Sequence, residues 1–242
     1  MQKLKFTVSL LVLAFQAQAQ SFLTPYSTFI SEKPSYVITQ EGDSIYGQLR
    51  SVIEQGGFIK RINIKDENGL VHKFKAEQIR RFAIKPGGFA KFETLSEQST
   101  SLRQFIKTDF RDVMEREWLI YDRELLPRRN NKYGLLQLLN PGFDQHIKVY
   151  DHPNGSKSMP IKLAGIRVVG GEDRTLLVVK DNQQAVIVRK VSYKQSFADL
   201  FSDEPELIKA IDGKPKFEDF AQHIFAYNDL KGVVYYFATK IK

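Results

Sequence analysis

The chain has 242 residues, 36 basic and 28 acidic side chains, a net charge of +8 and no cysteine. Its 42% hydrophobic and 26% charged residues are typical of a globular protein and exclude a disordered or fibrous chain. A basic chain without cysteine has no disulfides, no cysteine-ligated metal, no thiol nucleophile and no lipid attached through a thioether.

Residues 1–19 have the pattern of a signal peptide. Two lysines precede an apolar run from Phe6 to Phe15, which is too short to span a bilayer, a length of roughly 20 residues. Ala17 and Ala19 supply the small side chains that signal peptidase requires, so we predict cleavage between Ala19 and Gln20. The sequence therefore predicts an exported protein that is periplasmic, surface-associated or secreted, with no transmembrane anchor.

The first part of the mature chain has the signature of short antiparallel strands. Residues 20–35 contain two prolines and several hydroxyl side chains, and are predicted to be an extended lead-in. Residues 36–88 contain five short segments of period two, which end at turns such as Asn68-Gly69. This pattern favours a small β-barrel-like unit with a bent strand at Gly47, and a flat meander is the alternative.

The rest of the chain changes character twice. Residues 89–132 are predicted as a poorly defined connection, because their apolar positions match neither the helical nor the strand period. Residues 133–191 are rich in Leu, Ile and Val and predict an antiparallel β-meander. Residues 192–231 have helical periodicity and predict a helical cap, and residues 232–242 a strand-like tail. The predicted fold is mainly β, in an α+β arrangement.

Motifs of catalytic and metal sites are missing. The four histidines are scattered at spacings that do not match a metal-binding pair, and there is no G-x-S-x-G elbow or phosphate-binding glycine loop. Acidic pairs such as Asp66-Glu67 lie at predicted turns or helix starts, where solvation and the helix dipole account for them. The sequence therefore predicts no catalytic residue, metal ligand or cofactor, and favours a non-catalytic protein.

One set of charged residues suggests a binding surface. If the strands pleat as predicted, four cations fall on outward faces and form a stripe: Arg61, Lys65, Lys73 and Lys75. Small barrels with such stripes bind single-stranded nucleic acid. Since export makes nucleic acid an unexpected partner, an anionic envelope polymer such as lipopolysaccharide or acidic glycan is the expected one. The alternative is a solvated sheet face whose lysines discourage edge pairing.

Four stretches also carry a resemblance to known proteins. They are the AQAQ processing site that ends at Gln20, YVITQEGDSIYGQL from Tyr36 to Leu49, the segment from Lys132 to His152, and the tail SYKQSFADLFSDEPEL. Together they resemble a large group of uncharacterised exported proteins of the Bacteroidetes phylum, which has no assigned activity. The resemblance implies a β-rich envelope protein with a helical C-terminal portion, and it assigns no functional residue.

Three functions follow from these observations. The favoured one is an exported non-catalytic envelope protein that binds a partner or an anionic polymer through a β surface. A hydrolase of envelope or extracellular polymers would need a cleft with two facing carboxylates of shifted pKa. An accessory factor of a membrane complex would show a large exposed apolar or aromatic patch. A contiguous basic face without such a cleft would favour the binding protein.

Overall fold

A computed structural model describes residues 21–28, 31–99, 109–127, 132–155, 161–163, 166–169 and 175–240. These residues form a closed antiparallel barrel, a second antiparallel sheet and a layer of C-terminal helices. The mainly β fold with a barrel, a second sheet and a helical cap is therefore confirmed. The predicted cleavage site at Ala19 and Gln20 lies outside the described residues.

Seven strands build the barrel: β1 (Pro34–Thr39), β2 (Ser44–Gln55), β3 (Phe58–Lys65), β4 (Val71–Lys75), β5 (Ile79–Ile84), β6 (Leu119–Leu125) and β7 (Tyr133–Gln137). Six of them pair in the order β2-β1-β5-β6-β7-β3, and β3 pairs again with β2, which closes the barrel. β4 extends along the outer edge of β3. The pair that joins β3 to β7 is Ile59 opposite Leu135.

The barrel contains more of the chain than the predicted unit of residues 36–88. The five predicted strands of that unit are β1 to β5, but β6 lies in the predicted connection of residues 89–132. β7 likewise lies at the start of the predicted meander of residues 133–191. The reason is that the edges of β5 and β3 would otherwise carry unpaired backbone groups, which β6 and β7 pair instead.

The barrel interior is a packed hydrophobic core. Inward-facing side chains from every region of the wall are fully buried, among them Val37, Ile62, Ile64, Ile79 and Phe82. The ring of Phe82 lies 5.7 Å from that of Tyr121 on β6. A ligand therefore has to bind on the outer surface or at an end of the barrel.

Two helices lie between β5 and β6: α1 (Gly88–Gln98) and α2 (Phe110–Glu115). They extend the barrel core, to which Ala90 and Val113 belong. The sequence did not predict α1 because its pattern is unusual. The buried residues of α1 include the small Ala90 and Thr94, whereas Phe89 and Phe92 are exposed. Its two phenylalanines thus do not mark the face that packs, whereas Leu95 contacts the barrel core.

The second sheet has the order β12-β11-β8 and contains β8 (Ile147–Asp151), β11 (Leu176–Lys180) and β12 (Val186–Val188). A separate hairpin consists of β9 (Ile161–Leu163) and β10 (Ile166–Val169). One face of the second sheet packs on the outside of the barrel through Tyr150, Leu177 and Val179. The other face packs on the helices through Val149, Leu176 and Val178. Burial on both faces explains the continuous apolar run in β11.

The helical cap contains α3 (Tyr193–Leu200), α4 (Pro205–Ala210) and α5 (Phe220–Lys240). The prediction of a strand-like tail over residues 232–242 is wrong up to Lys240, because α5 continues through this segment. The β-branched and aromatic residues there lower helix propensity by only a few tenths of a kcal/mol each, which an established helix tolerates. α5 is the longest helix of the described residues, and neither it nor another has the length and apolar composition of a membrane span.

Residues 21–28 of the lead-in contact both the helical cap and the helices of the barrel. Phe22 packs on the rings of Phe143 and Phe220 beside the helical cap. Four residues later the Tyr26 hydroxyl donates a hydrogen bond to the Val113 carbonyl of α2, at 2.6 Å. Residues 21–28 therefore link the helices to the barrel, and they form neither a helix nor a strand.

A buried histidine lies in the helical cap. The Nδ1 atom of His223 on α5 is 2.7 Å from the Tyr193 hydroxyl, and its ring contacts that of Phe197 at 5.0 Å. Burial lowers the pKa of His223 below its usual 6.5, and the nearby Asp219 charge opposes this effect. The folded protein therefore favours the neutral imidazole.

We expect this histidine to make the fold less stable in acid. Because the unfolded chain takes up the proton more readily than the folded one, the His223 contribution is fully present above about pH 6.5. It is lost as the pH falls through that value towards the lowered pKa. Urea unfolding at about pH 7.5 and about pH 5.5 measures the loss, and His223→Gln should lose less stability over this interval. Equal losses in both proteins would contradict the assignment.

Candidate functional site

The four cations predicted as a stripe lie on one outer surface of the barrel. β3 and β4 pair with Arg61 opposite Lys75 and with Asn63 opposite Lys73, while Lys65 lies two residues beyond Asn63 on β3. Residues directly opposite each other on antiparallel strands share a face, as do alternate residues of one strand. All four cations are exposed. We call Arg61, Lys65, Lys73 and Lys75 the basic face.

The charges of the basic face are unpaired. Within the described part of the chain, none of the four cationic groups makes an ion pair, although the Lys75 backbone amide donates a hydrogen bond to Gln78 Oε1 at 2.9 Å. The neighbouring strand β2 places Ile53 opposite Arg61 and Ser51 opposite Asn63. At these two positions β2 therefore brings no carboxylate next to the cations. The positive potential of this surface is therefore available to a ligand.

Aromatic rings adjoin the basic face on the same outer surface. Tyr46 on β2 is 63% exposed, and its ring lies 5.7 Å from that of Tyr36 on β1, which in turn lies 5.1 Å from Trp118. We call these three rings the aromatic patch. Tyr46 is two residues before Gln48, which faces Lys65 across β2 and β3. The aromatic patch and the basic face are therefore continuous.

A cleft of about 540 Å³ lies between the barrel and the second sheet. Two carboxylates from the outer side of β6 line it, and both are buried: Asp122 is 4% exposed and Glu124 is 8% exposed. Arg81 on β5 binds Asp122 with two hydrogen bonds, of 2.6 and 2.9 Å. The Tyr150 hydroxyl of β8 donates to Glu124 and lies 3.5 Å from Asp122. These contacts connect the barrel wall to the second sheet.

Burial shapes the protonation of this cluster. Burial raises the pKa of Glu124. Hydrogen bonding from Tyr150 and the charge of Lys148 act in the opposite direction and lower this pKa, and the Lys148 Nζ lies 3.6 Å from Glu124 Oε1. Burial and the adjacent Glu124 charge also raise the pKa of Tyr150 well above 10. A glycosidase needs a second carboxylate that is free to attack or to activate water. Arg81 binds both oxygens of Asp122, so the pair is better explained as a structural junction.

A second cavity of about 400 Å³ lies where the lead-in passes the barrel. Its lining includes three acidic side chains, Glu54, Glu97 and Asp151, so it is unsuited to an anion. Gln137 also lines it and accepts a hydrogen bond from the Tyr26 amide at 3.0 Å, while its Nε2 has no partner among the described residues. Among all the residues that the structure describes, no three acidic or histidine side chains are grouped closely enough to hold a metal ion.

The sequence did not identify the buried charges of the cleft. Asp122 and Glu124 are two residues apart, which places both carboxylates on one face of a strand. That spacing indicates a shared face only if residues 119–125 form a strand. The sequence did not predict a strand there, because the segment lies in the poorly defined connection of residues 89–132. Arg81 lies 41 residues away along the chain from Asp122 and comes into contact with it only through the pairing of β5 with β6.

Comparison with protein-family models, with curated proteins and with solved structures finds no match to this chain. The resemblance to exported proteins of the Bacteroidetes phylum therefore stays a prediction.

Proposed function

We propose that this is an exported, non-catalytic protein that binds an acidic glycan of the cell envelope through the basic face. The observation that carries the proposal is the set of four exposed, unpaired cations on one rigid surface. From Arg61 to Lys65 the surface extends about 13 Å along β3, at about 3.3 Å per residue. An extended polymer with regularly spaced carboxylates or phosphates can contact several of the cations at once.

The aromatic patch favours an acidic sugar polymer as the ligand over other anions. The axial C–H groups of a pyranose ring carry partial positive charge and pack against the negative face of an aromatic ring. Tyr46 is the most exposed ring of the patch and adjoins the cations, so one chain can contact both. A purely apolar partner, as expected for an accessory factor, would gain nothing from the adjacent unpaired charges.

The proposal predicts loss of glycan binding when the basic face is neutralised. The double variant Arg61→Gln/Lys73→Gln should bind polygalacturonate at least tenfold more weakly than the natural protein, a difference of about 1.4 kcal/mol. Binding should also weaken as NaCl is raised from about 50 mM to about 300 mM, because salt screens exposed charges. Biolayer interferometry on residues 20–242 with immobilised polygalacturonate, and with dextran as the neutral polymer, measures both effects.

A matched control separates the surface from the net charge. Lys194→Gln/Lys209→Gln removes the same charge from two exposed positions of the helical cap and should bind within about twofold of the natural protein. Equal loss in both double variants would show that only the overall charge matters, and would contradict the proposal. Tighter binding to single-stranded DNA than to any acidic glycan would overturn the choice of ligand.

A further inference from the structure

The cleft between the barrel and the second sheet contains more positive charge than its carboxylates neutralise. It is lined by two matched cations, Arg81 and Lys148, and by two further arginines, Arg80 and Arg123. Within the described residues Arg80 and Arg123 have no acidic partner. Asp144 lies 3.9 Å from Arg81, so with Asp122, Glu124 and Asp144 all ionised the four cations leave an excess of one positive charge.

The two unmatched arginines line the same cleft from neighbouring strands. The β5–β6 ladder ends at the pair of Arg81 and Asp122, and Arg80 and Arg123 are the next residues of the two strands beyond this pair. Like charges that line one cleft repel each other. An anion bound between the two guanidinium groups would remove this repulsion. The arrangement therefore favours occupancy by a negatively charged group.

One of the two guanidinium groups is already held in place. The guanidinium carbon of Arg123 lies 4.4 Å from the centre of the Tyr133 ring, a cation–π contact that limits the rotation of this side chain. A guanidinium stacked in this way keeps its N–H groups at the edge of its plane, where they can bind two oxygens of one carboxylate or phosphate. Less conformational freedom is lost on binding when a side chain is fixed beforehand.

Neutral polar groups complete the lining. Asp181 and Asn182 have φ angles of 47° and 60°, the left-handed conformation of a tight hairpin turn between β11 and β12. This turn presents Asn182 and Gln183 to the cleft, and Gln40 lines it from the end of β1. Amide side chains of this kind bind hydroxyl groups, so the cleft is suited to a ligand that carries hydroxyls beside its charge.

We infer that this cleft is a binding site for the oxyanion group of a small hydroxylated ligand, held between Arg80 and Arg123. The oxyanion is a carboxylate, as in a uronic acid, or a phosphate, as in a sugar phosphate, since both present paired oxygens to a guanidinium. The inference does not depend on the basic face, which involves other strands and other cations.

The test is isothermal titration of the full mature chain with three probes: galacturonate, inorganic phosphate and neutral galactose. The natural protein should bind at least one of the two anions in a saturable way and should not bind galactose. Tighter binding of galacturonate would identify a carboxylate ligand, and tighter binding of phosphate a phosphorylated one. Absence of saturable binding of both anions would overturn the inference.

Variants locate the site. Arg80→Gln changes an exposed side chain and should weaken anion binding at least tenfold. Arg123→Lys retains the charge but loses the planar pair of N–H donors, so a smaller, several-fold loss is expected. Lys194→Gln on the helical cap is the control and should leave the affinity within twofold. If Lys194→Gln weakens binding as much as Arg80→Gln, the anion responds to general charge and the site assignment is wrong.

Discussion

Replacing Arg81 by methionine should lower the free energy of unfolding by about 3–5 kcal/mol. The variant leaves the Asp122 carboxylate, which is 4% exposed, without the cation that binds both of its oxygens. The remaining polar neighbour is the Tyr150 hydroxyl at 3.5 Å, which cannot compensate a buried charge. Urea unfolding near neutral pH, with the mid-point and slope both fitted, measures the change.

Two further variants test the physical reason. Arg50→Met breaks the ion pair with Glu32, whose side chains are 47% and 70% exposed, and should cost less than about 1 kcal/mol. The double variant Arg81→Met/Asp122→Leu removes both charges of the closest pair and should recover most of the lost stability, because the buried Asp122 carboxylate is no longer left without its cation. If Arg81→Met costs no more than Arg50→Met, Asp122 does not depend on its arginine and the junction has been misassigned.

Replacing Gly47 by alanine should destabilise the barrel by about 3 kcal/mol, the upper end of the range for overpacking. A Cβ atom at this position would lie 2.2 Å from the Lys65 carbonyl oxygen and 2.8 Å from the Ile64 side chain. Because the nearest atom belongs to the backbone, β2 and β3 have to separate to make room. Thermal unfolding followed by circular dichroism measures the effect as a drop of several degrees in Tm.

The control for this variant is another glycine without such a neighbour. Gly88 is the first residue of α1, and a Cβ atom there would meet nothing within 4 Å. Gly88→Ala should therefore leave stability unchanged or raise it by up to about 1 kcal/mol, because alanine has the higher helix propensity and fewer unfolded conformations. A Gly47→Ala protein as stable as Gly88→Ala would show that β2 does not approach β3 as closely as described.

The basic face and the Gly47 contact depend on the same strand. Lys65, whose carbonyl blocks a side chain at position 47, also contributes a cation to the surface. Close packing of β2 against β3 thus fixes the cations relative to the aromatic patch on β2 and β1. A ligand that contacts both surfaces meets a preformed site, and little ordering of the protein is needed on binding.

Much of the fold follows from local patterns. The period-two segments and the Asn68-Gly69 turn specified β1 to β5, and strand parity placed all four cations of the basic face on one side. The bend predicted at Gly47 is the place where β2 and β3 meet without room for a side chain. The helical period from residue 192 onward likewise predicted the helical cap, whose first helix is α3. Each of these features depends on neighbours within a few residues along the chain.

The sequence by itself determined the strand-rich character of the chain, the outward direction of its cations and the start of the helical cap. Only the tertiary structure decided that β6 and β7 complete the barrel, since the Ile59–Leu135 contact joins distant segments. It also decided that Asp122 and Glu124 lie buried in a charged cleft, and that α5 continues through a β-prone tail. Periodicity reports which face of an element is apolar, but it does not report which distant element covers that face.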